Sequence, residues 1–223
     1  MQSNGIKVDG MDEIDAQNTP VDDLETEDVN LFFLGIDQSG SMDMFQSEMR
    51  KALVDFKRAI ENSKEAQKIL VARANFSTRL AIGGYKKIGE LDVDYQSNGM
   101  TVLYDTIIEG TDKLFVYMEH LKQQGVRVKA AFALFSDGLD TASNHTCYAA
   151  KDTVKKLNDR EIVTAFISFG PEAMQEANDL GFKNVLEVGR TDSELRRALN
   201  VLSKSAISNS KSVVNKTGDF FEQ

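Results

Sequence analysis

The sequence predicts an α/β domain: a mainly parallel six-stranded sheet with one antiparallel edge strand, flanked by helices on both faces. Three observations lead there. Short apolar β-type runs alternate with segments of helical period from Leu31 onward. Turn-forming residues punctuate the boundaries between them. Of 223 residues, 41% are hydrophobic and 8% aromatic, enough for one core with room for tails.

The strands are expected over 31–36, 69–76, 79–88, 128–135, 162–168 and 184–188. Phe45, Met49, Leu53, Phe56 and Ile60 lie on one face of a helix, and Ile107, Leu114, Met118 and Leu121 on one face of another. Pro171 suits a first helical turn and Gly181 the end of the same helix. Thr191 and Glu194 in "TDSEL" have capping-box spacing ahead of Leu195, Leu199 and Leu202. The stretch "NFSTRL" around Ser77 and Thr78 predicts a tight hairpin, which makes the third strand the antiparallel edge. Three parts follow: an acidic arm over 1–28, a domain over 29–203, and a Ser-, Lys- and Asn-rich tail over 204–223. In that tail Phe220 and Phe221 are expected to be plain tail residues.

Charge is uneven. The formal net charge is −9; residues 1–28 hold nine acids against Lys7, a charge of −8, leaving −1 for the remainder. The arm is therefore expected to be solvated, with its carboxylates as a lesser route to self-association. No basic stripe interleaved with aromatics supports nucleic-acid binding. No run of 18 apolar residues occurs, and the acidic N-terminus is unlike a secretory or transit signal, so a cytoplasmic protein without membrane association is expected. A lone cysteine, Cys147, cannot build a disulfide framework or a cysteine zinc site.

The chemistry gathers in three loops. "LFFLGIDQSGSMDMF" places Asp37, Ser39 and Ser41 at alternating positions after an apolar strand. Alternate residues of an extended stretch point the same way, and Gly40 permits the bend. "ALFSDGLD" puts Asp137 after another buried strand, and "QSNGMTVLYDT" supplies Thr101 ahead of the second helix. In an open α/β sheet such loops converge beyond the carboxyl ends of the strands. Oxygen donors without histidine or thiolate suit a hard cation, Mg²⁺ above all, with Mn²⁺ or Ca²⁺ as substitutes. The first motif taken alone fits an Asp and Ser turn capping the next helix equally well.

Together, "DQSGSM", "GMTVLYD" and "FSDGLD" resemble, in order, the Asp-x-Ser-x-Ser motif, the threonine loop and the second aspartate loop of von Willebrand factor type A domains. The resemblance covers about residues 29–203. It implies a sheet sandwiched by helices with a metal-ion-dependent adhesion site at its top. It makes Ser39 and Ser41 direct hydroxyl ligands and Thr101 a third, direct or through water, with Asp37 and Asp137 acting mostly through water. An ion held largely by neutral hydroxyls keeps much of its charge, so an outside carboxylate is attracted.

The resemblance thus implies a Mg²⁺-dependent protein-interaction module whose partner supplies an Asp or Glu. Cytoplasmic proteins built mostly of one such domain resemble a bacterial stress-response group associated with kinases, phosphatases or MoxR-type ATPases. The enzymatic alternative is a Mg²⁺-dependent phosphoryl-transfer enzyme of the haloacid dehalogenase type. There the motif needs a second aspartate where this chain has Ser39, and no histidine lies within the three motifs, so no catalytic residue is assigned. A metal-independent scaffold is the third reading. Asp105 and Asp140 are expected to support or rim the site, His145 to face solvent, Cys147 to pack at a helix start, and His120 to complement a helix dipole.

Overall fold

The structure, a computed structural model, describes residues 27–189, 191–211 and 220–221. Strand β1 (Asp28–Asp37) takes the middle of the sheet because every residue from Val29 to Asp37 is buried. Its side chains alternate between the two faces. Phe32, Leu34 and Ile36 join one core, while Leu31 and Phe33 join the other.

β2 (Ile69–Phe76), β5 (Arg127–Ser136), β6 (Val163–Ser168) and β7 (Asn184–Glu187) continue the sheet in parallel. β3 (Leu80–Ile82) and β4 (Lys86–Lys87) run antiparallel to β2, giving the order β3-β2-β1-β5-β6-β7 with β4 beside β3 on the same edge. The sheet is mixed and mostly parallel, with seven strands instead of six. The single edge strand expected over 79–88 is interrupted at Gly83 and Gly84, which have no side chains to pack, and Gly83 N donates to Arg73 O at 2.8 Å. The expected hairpin is present, with Phe76 opposite Leu80.

α1 (Gln46–Glu61) and α5 (Asp192–Lys211) cover one face; α2 (Leu103–Gln123), α3 (Cys147–Asp159) and α4 (Pro171–Leu180) cover the other. Met49, Leu53, Phe56 and Ile60 form the buried stripe of α1. Phe45, expected to begin that stripe, lies in a preceding 3₁₀ turn, Gly40–Phe45. On α2, Gly110 lies against the Phe33 ring, and a Cβ there would come within 2.4 Å of it. That contact draws α2 close over β1 and so sets where its N-terminus stands. α4 opens on Pro171 and ends at Gly181 in the left-handed region, φ 91°. The capping box is half formed: Glu194 N donates to Thr191 Oγ1 at 3.4 Å, while Thr191 Oγ1 donates to the Glu194 carboxylate.

The C-terminal expectation needs correction. α5 runs on to Lys211, and Ser203, Ser205, Ala206 and Asn209 are buried. Lys129 Nζ donates to the carbonyls of Asn209 and Ser210, satisfying groups at the helix end. Phe220 is fully buried in the α1/α5 core, and its N–H donates to Asn184 Oδ1 at 2.9 Å. Within 204–211 the small residues Ser205, Ala206, Asn209 and Ser210 are thus packed, while Lys204 and Lys211 are exposed. Of the tail expected over 204–223, residues 212–219 and 222–223 lie outside the described residues, as do 1–26 of the arm, and Asp28 already belongs to β1.

Candidate metal centre

The chain leaves β1 through α1 to β2 on one side, and later returns to β5 on the other. The carboxyl ends of β1 and β5 therefore flank the crevice where connections diverge, the place where open α/β sheets bind ligands. Asp37 ends β1 and Ser136 ends β5. The register, with Ile36 opposite Phe135, carries Asp37 on to Ser136.

Asp37 has no exposed surface. Its Oδ2 accepts the Ser136 hydroxyl at 2.5 Å and its Oδ1 accepts Ser39 N–H at 2.8 Å. The Ser39 and Ser41 hydroxyls are 3.0 Å apart, and Ser41 Oγ donates to Asp137 Oδ1 at 2.8 Å. Four of the five predicted residues are thereby joined in one chain of hydrogen bonds. Ser39 stands at the N-cap of the 3₁₀ turn but makes no side-chain capping bond. Its hydroxyl turns to Ser41, so of the Asp and Ser turn alternative the structure has the Asp37 to Ser39 N–H bond but not the serine cap.

Thr101, nearly buried, belongs to a loop held between the other two. Gly40 N donates to Gly99 O at 2.9 Å and Asn98 N to Gln38 O at 2.6 Å. On the other side Thr141 N donates to Thr101 O at 2.9 Å, and Thr101 N donates to Thr141 Oγ1 at 2.9 Å. Gly99 has φ +90°, and a Cβ there would meet Thr78 Oγ1 at 2.4 Å, so both its conformation and its space require glycine. Among the described residues no hydrogen bond joins the Thr101 side chain to the other four; proximity of the loops is what brings it in.

Burial pushes the Asp37 carboxyl up to about 6; hydrogen bonds from Ser136 and Ser39 pull it back, and the Asp137 charge pushes it further up. Among the described residues no lysine or arginine forms an ion pair with it. The described residues also hold no cluster of three or more His, Cys, Asp or Glu suited to a metal. The donor set is instead two carboxylates amid hydroxyls. A buried carboxylate without a cation, facing neutral oxygen donors and a second carboxylate, fits a hard divalent ion.

Residues outside the motifs complete the setting. Tyr95, fully buried, donates its hydroxyl to Asp37 O at 2.6 Å. Arg73 on β2 donates to Asp92 O at 2.6 Å, to Asp94 O, and to Asn75 Oδ1 at 2.8 Å, fixing the segment that delivers Tyr95. Ser136 was legible as the strand residue preceding Asp137. Tyr95 and Arg73 carry no local signal for such a role.

Asp105 and Asp140 act beside the centre. Asp105 Oδ1 accepts His145 N at 2.9 Å and lies 2.7 Å from His145 Nδ1, while Oδ2 accepts Asn144 N at 3.0 Å. Asp140 accepts from Tyr104 N and the Ser143 hydroxyl. Together they clasp the start of α2 to the loop after Asp137. His145 faces solvent as expected, its side chain 44% exposed, and is in addition anchored to Asp105. Cys147, expected to pack, is exposed at the first position of α3, next to Thr146, whose side chain caps the helix by accepting Ala149 N–H. His120 lies in the last turn of α2, its ring stacked on Tyr117 at 6.2 Å.

No family model matches the chain, and no curated protein matches it by sequence. Solved structures do. The pilus adhesin SpaC from Lactobacillus rhamnosus GG in its open conformation superposes with a TM-score of 0.67 at 14% identity, covering 83% of this chain and 30% of its own. A von Willebrand factor type A protein from Catenulispora acidiphila gives 0.58 at 15%, covering 81% and 43%. Proximal thread matrix protein 1 from the mussel byssus, described with a zinc-occupied MIDAS motif, gives 0.59 at 15%, covering 80% and 46%. The chain thus spans about a third to under a half of these proteins' lengths. At such identity the likeness establishes a von Willebrand factor type A-like fold. Among the described residues no helix is long and apolar enough to cross a membrane.

Proposed function

We propose that this domain is a Mg²⁺-dependent protein-interaction module, in which Ser39, Ser41 and Thr101 offer hydroxyl ligands and Asp37 and Asp137 orient them. Bound there, the ion supplies a positively charged point that attracts a carboxylate from outside. The chain's own residues hold the donors rigid: Ser136 and Tyr95 fix Asp37, and the Gly40 to Gly99 bond fixes the threonine loop. The observation that carries this reading is Asp37 itself, wholly buried and without a cationic partner among the described residues.

An intracellular adaptor acting beside kinases, phosphatases or MoxR-type ATPases is the biological setting proposed, in the cytoplasm. Phosphoryl transfer is disfavoured by Ser39, whose neutral hydroxyl lies against another hydroxyl and cannot replace an acid or base there. Calorimetric titration with Mg²⁺ and with Mn²⁺ tests the reading. Saturable binding lost in Asp37→Ala and in the Ser39→Ala/Ser41→Ala pair is expected. Absence of binding by the native chain, or steady turnover of a phosphate ester with Mg²⁺, overturns it.

A further inference from the structure

Among the described residues, five large apolar side chains are exposed, and three of them lie on the three loops of the metal centre. Met44, 61% exposed, is three residues past Ser41; Met100, 51% exposed, precedes Thr101; Leu139, 47% exposed, is two residues past Asp137. A single exposed apolar residue is ordinary on a protein surface; what sets these three apart is that each lies within three residues of a candidate metal ligand, on a different site loop. An ion held there would have an exposed apolar residue on each of the three loops that supply its ligands, which suits a particular ligand: a carboxylate with large apolar neighbours.

The chain's own sequence contains that pattern. In "DGMDEIDAQNTPVDDLETE", starting at Asp9, Met11 adjoins Asp12, Ile14 lies between Glu13 and Asp15, Val21 adjoins Asp22, and Leu24 lies between Asp23 and Glu25. Resting on the metal-centre reading, we propose that residues 9–25 of one copy dock at the metal centre of a second copy, a carboxylate meeting the ion and apolar neighbours meeting Met44, Met100 and Leu139. Length favours another molecule over the same one. The ten residues of β1 place Glu27 about 30 Å from Asp37, at the opposite edge of the sheet. Asp22 is five residues from Glu27 and reaches at most about 18 Å, short of its own site. Asp12 spans about 50 Å only when fully extended, and its path must round a domain about 40 Å across. A second copy imposes no such limit. The net charge of −1 outside the arm adds little repulsion, and salt screens what remains.

Sedimentation velocity of the full chain across a wide concentration range, with Mg²⁺ and with EDTA, tests this. Mass rising with concentration in Mg²⁺ only is expected. It should fall back to monomer when the seven acids Asp9, Asp12, Glu13, Asp15, Asp22, Asp23 and Glu25 are changed to Asn or Gln in the full chain. The surface triple variant Met44→Gln/Met100→Gln/Leu139→Gln, checked for an unchanged melting temperature, should weaken self-association by about tenfold or more. A synthetic 9–25 peptide should bind the acid-neutralised chain and dissociate the native assembly. If Mg²⁺ binds but the peptide does not and the native chain stays monomeric, this inference is overturned while the metal centre stands. Peptide binding by a chain that never assembles overturns docking on a second copy in favour of capture within one molecule. If Mg²⁺ itself does not bind, the metal-centre reading falls first.

Discussion

The phenol of Tyr95 donates to the main-chain carbonyl of Asp37 at 2.6 Å, across 58 residues of sequence. Burial pushes the Tyr95 hydroxyl above the ordinary phenol range, so it stays a protonated donor at any pH the fold survives. Tyr95 thus holds the end of β1 through the Asp37 main chain and not through a candidate ligand oxygen.

Tyr95→Phe keeps the ring and removes the donor, leaving a buried carbonyl unsatisfied at a cost of about 1–3 kcal/mol. Urea denaturation should show that loss with an unchanged slope. Mg²⁺ affinity should fall as well, since the Asp37 backbone is then less firmly placed. An unchanged urea midpoint would mean the hydrogen bond contributes nothing.

Asp37 makes the centre pH-dependent. Its pKa rises from 3.8 to about 6 on folding, chiefly through burial. A carboxyl with a raised folded pKa binds the proton more tightly in the native state, so its stabilising share is full below about pH 4 and lost as pH rises through 6. In EDTA, Asp37→Asn should therefore gain on the native chain between pH 4 and 6, approaching about 3 kcal/mol above that range. Urea midpoints of the two proteins against pH measure it. With Mg²⁺ present the sign turns: the proton competes with the ion, and affinity should drop as pH falls below 6.

How much of this could be read beforehand follows from where each signal lies. Asp37, Ser39 and Ser41 are spaced within five residues after a clear strand, so their convergence needs only local geometry. Asp137 needs the further inference that two parallel strands end at one edge, which their apolar runs supply. The Ser136 to Asp37 bond needs the strand register, and Tyr95 emerges from an aperiodic segment positioned by Arg73 on another strand. α5 runs past Ser203 although Ser205 and Asn209 look solvent-seeking in sequence: Lys129 satisfies the carbonyls of Asn209 and Ser210, while the Ser205 hydroxyl is buried without a hydrogen-bond partner among the described residues. The break at Gly83 and Gly84 was present in the sequence as punctuation and was overridden by the flanking strand-like residues.

Arg73 links the sheet to the candidate metal centre. Burial pulls its pKa below the ordinary guanidinium value, with Asp92 the first of the charges pulling it back. Its donors hold the Asp92 and Asp94 carbonyls. Arg73→Met should cost about 2–4 kcal/mol by freeing that segment and stranding its acceptors. Arg73→Lys should recover little, because an ammonium cannot reproduce the fork that spans two carbonyls. Chemical denaturation of both variants decides the point, and Mg²⁺ titration should show affinity falling with each as Tyr95 loses its support.

Asp105 tests the clasp between α2 and the loop after Asp137. Burial raises its carboxyl pKa, but the N–H groups of Asn144 and His145 together with the His145 ring outweigh that and leave the pKa lowered. A lowered folded pKa means stability present above the unfolded value near 3.8 and lost as pH falls through the folded one. Asp105→Asn can keep some of these bonds but not the charge. It should therefore be less stable than the native chain at neutral pH, with the gap closing as pH drops below about 4. Urea midpoints from neutral pH into that acid range would show the convergence; parallel curves would mean that the Asp105 charge does not hold the clasp. Because Asp105 touches none of the five candidate ligands by hydrogen bond, its Mg²⁺ affinity should change far less than that of Asp37→Ala.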